Sequence, residues 1–246
     1  MAETEIAPGA GLDIREKGGP KEGVPQVSDK RLFMQFLALG GCQSVADLCR
    51  ALDKGSIEGV LYADVSDPHG VGLLTWSENP KHFVEQVRER LLKPPFAGLI
   101  PKPEYAMLGR TYASGHEPEL EDWLINKPRR TVLNPLWDWA VWYPLRRTGA
   151  FHALPPEEQT SILREHGKIG HAFGEADFAH DVRLSCQGLD RSDNDFVIGL
   201  VGRDLHPLSA CVQAMRKTKQ TSQYIQSMGP FFIGRVVWRS RLPEGP

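Results

Sequence analysis

Apolar residues recur along this chain with two periods. In the first half, RLFMQFLALGG, EGVLYADVS, GVGLLTWS and YAMLGRTYA are apolar or alternating runs of strand length. Turn formers such as Asp67-Pro68-His69-Gly70 bound them, so each predicts a strand. Between them, SVADLCRALDKG has helical spacing closed by Gly55, and NPKHFVEQVRERLL places Phe83, Val84, Val87 and Leu91 at helical offsets behind Asn79 and Pro80. The order is β-α-β-β-α-β.

The second half repeats it. LWDWAVWYPLR, DFAHDVRLSCQG, NDFVIGLVG and PFFIGRVVWRSR predict strands, and PPEEQTSILREHGKIGHAF and LHPLSACVQAMRKTKQTSQY each predict one helix. Two such units are two tandem ferredoxin-like modules, an α+β fold whose simplest packing joins two antiparallel sheets into a dimeric α+β barrel with helices outside. The halves are predicted at residues 29–113 and 136–246, joined by a linker at 114–135 that is long enough to contribute to a pocket. Residues 1–28 are rich in Gly, Pro and charge and read as a flexible arm.

Composition narrows the function. A hydrophobic content of 41% and a net charge of -2 describe a globular protein without the basic face that nucleic acid or anionic membrane requires. No run approaches a membrane span, and the acidic start MAETEIAPGAG lacks the apolar core of a secretory signal. Cys42, Cys49, Cys186 and Cys211 show no paired zinc spacing and read as free thiols, so a cytoplasmic location is expected. GVGLLT is no dinucleotide loop, and GxSxG, P-loop and HExxH patterns are absent.

Ile162, His166, Ile169 and Phe173 share one helical stripe, which turns His166 inward. An inward neutral imidazole needs a partner, either a backbone carbonyl or a metal. His171 lies about 140° around the helix from His166 and forms no metal pair with it. Tyr143 ends an alternation with Trp137, Trp139 and Val141, a face that is either core or the wall of a pocket for a flat ligand. Lys127, Arg129, Arg130, Arg146 and Arg147 flank it, as a solvated basic edge or as clamps for carboxylates. Arg216, with Thr221 and Ser222 nearby, sits at the edge of an apolar helix face, as a surface ion pair or a second anion clamp.

PRRTVLNP, WYPLRR, LPPEEQTSILREHGKIG, DNDFVIGLVG and MRKTKQTSQYIQSMGPFFIGR, in that order, resemble the chlorite dismutase-like haem proteins. The resemblance makes His166 of the EHG motif the proximal iron ligand. It is strongest to the coproheme decarboxylases, because Tyr143-Pro144 matches their YP motif 23 residues ahead of the histidine. It then implies Tyr143 as the catalytic tyrosine, and Arg129, Arg147, Arg216 and Thr221 as propionate contacts. It also implies iron coproporphyrin III as both substrate and cofactor, hydrogen peroxide as oxidant, haem b as product, and a homopentamer. Chlorite-splitting members need an arginine 13 residues after the histidine, where this chain has Ala179. Candidates for a peroxide-assisting histidine are His116 and His180. A family peroxidase, a haem carrier or sensor, and a haem-free interaction module are the rival readings.

Overall fold

Ser44 accepts a hydrogen bond from the Asp47 amide and so caps the first helix of a chain whose strands dominate its architecture. The computed structural model describes residues 11–241. A hairpin, β1 (Glu16–Lys21) and β2 (Val24–Ser28), precedes the first module. That module runs β3 (Phe33–Gly40), α1 (Val45–Asp53), β4 (Gly59–Asp64), β5 (Val71–Ser77), a π-helical turn Phe83–Val87 leading into α2 (Arg88–Leu91), and β6 (Ile100–Arg110). A second π-helical turn, Asp122–Asn126, and α3 (Lys127–Leu133) follow in the linker. The second module holds β7 (Trp139–Arg147), α4 (Gly149–His152), α5 (Pro156–Glu175), β8 (His180–Ser185), β9 (Phe196–Gly202), α6 (Leu205–Met215), α7 (Lys219–Tyr224), β10 (Ile225–Met228) and β11 (Phe232–Arg239).

Both modules carry the predicted strand order. The first is β4-β5-β3-β6 and the second is β11-β7-β9-β8, all antiparallel. β11 joins β4, β6 meets β8 at Arg110 and Ser185, and β7 pairs with both β9 and β11, so the order closes on itself. Period-two alternation then gives every strand an inner and an outer face. Phe36, Trp142, Phe232 and Tyr62 fill the interior, with the Phe36 ring stacked 5.8 Å from Trp142 and edge-on 4.7 Å from Phe232. Burying an apolar side chain of this size contributes about 1.5–3 kcal/mol. Outside the first module, Leu48 and Leu52 of α1 close against Leu39, Leu61 and Leu73.

Three sequence expectations change. Residues 16–28 are a hairpin rather than an arm; residues 1–10 lie outside the described part. The Gly19 amide donates to the Glu117 carbonyl at 3.0 Å, and the Gln26 side chain bonds Gly19, Glu117 and Pro118 carbonyls while accepting from the Leu120 amide. Backbone and side-chain amides, not apolar burial, seat it, which is why periodicity did not reveal it. The linker contains α3. The helix predicted over 205–224 is two, broken where Thr218 caps α7, and Tyr224 leads directly into β10. Cys42, Cys186 and Cys211 are buried free thiols, and Cys49 is half-buried.

Gly199 on β9 marks a close approach inside the sheet, since a β-carbon there would lie 2.4 Å from the Trp142 ring. Gly199→Ala is expected to destabilise the fold by roughly 1–3 kcal/mol through overpacking, read as a lower Tm in a thermal melt.

Candidate functional site

Pro156 at the first turn and Glu157 and Glu158 behind it open α5, as a helix N-terminus favours. The helix packs with α6 over the outer face of β7, β8 and β9. Between helices and sheet lies a cavity of about 790 Å³, in the size range of small-molecule sites. Its sheet wall follows from register: Tyr143 pairs with Ile198, which pairs with Arg183, and Val141 pairs with Leu200, which pairs with Asp181. Residues paired across antiparallel strands share a face. Tyr143, Ile198, Leu200, Asp181 and Arg183 therefore form one surface, and all of them line the cavity.

His166 lines the cavity from α5, one turn beyond the buried Ile162. Its Nδ1 lies 3.2 Å from the Thr218 hydroxyl, and that hydroxyl donates to the Met215 carbonyl at 2.8 Å. With its hydrogen committed there, Thr218 accepts from the imidazole, so Nδ1 carries the proton and Nε2 the free lone pair. The partner is thus a hydroxyl rather than a backbone carbonyl. Burial first, then repulsion from Arg147 and Arg183, hold the His166 pKa down at about 4. The ring is neutral at neutral pH. Thr218 was missed from sequence because it was read as the interior of one long helix.

Tyr143 is buried with its ring stacked 4.5 Å from Phe231. Burial raises its pKa well above the usual phenol range, so the group keeps its O–H. Arg147 lines the same cavity with its guanidinium over Phe151 at 4.6 Å and Phe196 at 4.7 Å. Among the described residues no carboxylate pairs with it, and its Nε is buried without a partner. Burial lowers its pKa. A half-buried guanidinium with no carboxylate partner favours an anion that can reach it. Lys127 stands 3.8 Å over the Trp123 ring, with its pKa lowered chiefly by burial. The linker therefore supplies part of the wall.

The other predicted residues are placed unevenly. Thr221 lines the cavity, and Arg216 lies in a shallow groove beside it that shares Thr221, Ile225 and Met228. Arg129 is not brought in: α3 turns it toward Glu58 at 3.7 Å and Glu78 at 3.8 Å. Ala179 and His116 line the cavity. His180 does not; it stacks 3.6 Å from Trp137 and bonds Asp177 at 2.8 Å. Arg183 and Asp181 were missed. DFAHDVRLSCQG was legible only as a strand, and the packing of α5 on β8 makes one of its faces a cavity wall.

The unfolded state takes up a proton on His166 near pH 6.5, whereas the folded state resists until about 4. Its neutral burial therefore costs nothing above pH 6.5, and stability falls as pH drops from 6.5 toward 4. His166→Gln is expected to lose less stability than the parent over this window, measured as the difference in Tm between its two ends.

The family model described as Chlorite dismutase matches residues 45–237. A haem-binding protein from Thermus thermophilus is similar in structure, with a TM-score of 0.64 and 19% identity over 84% of this chain and 91% of that one. So is chlorite dismutase from Candidatus Nitrospira defluvii in complex with imidazole, with a TM-score of 0.63 and 13% identity over 85% and 92%. At these identities the two structures establish the shared fold. The family match spans the strands and helices that build the cavity, His166 and Tyr143 included, and the chain belongs to the chlorite dismutase family.

Proposed function

We propose that this chain binds an iron porphyrin and carries out hydrogen peroxide-dependent oxidative decarboxylation of iron coproporphyrin III, giving haem b. The observation that carries the reading is one cavity holding three groups: a neutral histidine with Nε2 free, a buried protonated tyrosine, and a half-buried arginine with no carboxylate partner among the described residues. The family match and the haem-binding relative from Thermus thermophilus support the class of ligand. The residues present fit such a group. Among the described residues no cluster of three or more His, Cys, Asp or Glu is assembled for a metal, so an iron on His166 would draw its remaining ligands from a porphyrin.

In this reading His166 Nε2 holds the iron, and Arg147 takes a propionate through its guanidinium fork. Arg216 and Thr221, at the adjoining groove, serve carboxylates toward the solvent side. Bound iron porphyrin supplies oxidation by peroxide. Each propionate, with one peroxide and one proton, becomes a vinyl group, one carbon dioxide and two waters. Tyr143 passes on the hydrogen atom removed from the propionate chain, and its O–H, kept protonated by burial, suits that task. Ala179 presents only a methyl group where chlorite-splitting relatives place an arginine, which favours this chemistry over chlorite cleavage. A peroxidase of the same family would use His166 alike but would not depend on Tyr143. A cytoplasmic homopentamer is part of the proposal; no helix among the described residues is long and apolar enough to cross a membrane.

Titrating the apo protein with iron coproporphyrin III is expected to give a Soret band with an imidazole-ligated iron spectrum. His166→Ala should lose that ligation; an unchanged spectrum removes His166 from the site. After peroxide addition, mass spectrometry should follow stepwise loss of two carboxyl groups. Tyr143→Phe should slow this by about 10²-fold or more, since even a displacement of about 1 Å costs that much. Turnover that survives the change points to the peroxidase reading.

A further inference from the structure

The sheet wall facing α5 presents a pair of opposite charges that the proposed chemistry has not yet used. Ala179, immediately before β8, and Asp181 and Arg183 on it follow one another at a spacing of two, and all three line the cavity. Arg183 Nε lies 2.8 Å from Asp181 Oδ2 in an ion pair, and the two side chains keep 44% and 42% of their surface accessible. Among the described residues Asp181 Oδ1 has no donor. Register puts Arg183 level with Tyr143, two strands away, and Asp181 level with Val141 on the adjoining row. The charge of Asp181 is felt at both Tyr143 and His166.

Glu117 also lines the cavity, but its carboxylate accepts from the Ser114, Gly115 and His116 amides and the Ser114 hydroxyl, at 2.6–3.0 Å. Thr221 and Thr218 belong to the His166 side. Asp181 lines the cavity with Oδ2 held in the ion pair and, among the described residues, no donor on Oδ1. An anchored carboxylate with a free oxygen is a positioned proton acceptor, and a guanidinium beside it holds the anion produced.

We propose that Asp181 and Arg183 are the peroxide-handling pair of this cavity, a proposal that rests on the haem reading above. Hydrogen peroxide enters between α5 and β8. One of its O–H bonds breaks, the proton passes to Asp181 Oδ1, and the electron pair stays on oxygen as hydroperoxide anion beside the free N–H groups of Arg183. No electrons change hands in this step. A role placed one or two strand repeats beyond Ala179, on the same face, explains how the cavity handles peroxide without a polar group at that position.

The test uses the full chain loaded with iron coproporphyrin III, with cyanide and peroxide as probes. At neutral pH cyanide arrives as hydrogen cyanide and must give up a proton to bind iron, which the same base accepts. Asp181→Asn is expected to slow cyanide binding and peroxide consumption at least about 10-fold, with the Soret band and porphyrin affinity unchanged. Asp181→Glu should restore part of both rates, which loss of a merely structural contact would not do. Parent rates of both reactions in a folded, loaded Asp181→Asn protein overturn the pair. Failure of the parent protein to take up porphyrin at all overturns the haem reading, and this proposal with it.

Discussion

Strand β7 is hydrogen-bonded along both edges, and the rest of the molecule depends on that. β9 takes one edge over Trp139–Leu145, while β11 and then β10 divide the other. Because β7 sits between partners from its own module and β11 continues into β4, it closes the sheet and joins the two halves. Its even-numbered residues Ala140 and Trp142 fill the interior, and its odd-numbered Val141, Tyr143 and Leu145 face the helices. One backbone thus sets both the packing of the core and the position of the buried phenol.

The two modules share a topology but use their outer faces differently. In the first, Leu48 and Leu52 fill the space between helix and sheet. In the second, the longer α5 carries His166 and two glycines, Gly167 and Gly170, along the cavity side, and the space stays open. The charges left inside are managed in distinct ways. Arg183 is paired with Asp181, Lys127 and Arg147 rest on aromatic rings, and His166 is kept neutral with its tautomer set by Thr218. A cavity wall so furnished favours a large planar ligand carrying carboxylates.

Much of this was legible from residue order, and the limits have physical causes. Strand and helix periods exposed both modules, and the same periods turned His166 and Tyr143 toward the interior of their layers. Motif spacing alone placed Arg129 at the site, but the helical turn of α3, hidden in a linker of mixed composition, swings it to Glu58 and Glu78. Asp181 and Arg183 carried no signal, because a charged strand face looks the same whether water or a helix lies above it. Thr218 was concealed by helix formers on both sides. The hairpin over 16–28 is held by amide contacts to the linker, which leave no trace in hydropathy.

Dependence on β7 has a further consequence for how this chain tolerates change in length. Side chains alternate with a period of two, so a slip of one residue between β7 and its neighbours exchanges the two faces. The Trp142 indole would then stand in the cavity and the Tyr143 phenol among Phe36 and Phe232. Loops around the sheet can grow or shrink by single residues without touching that assignment, whereas within Trp139–Arg147 the count is as much a part of the site as the side chains are.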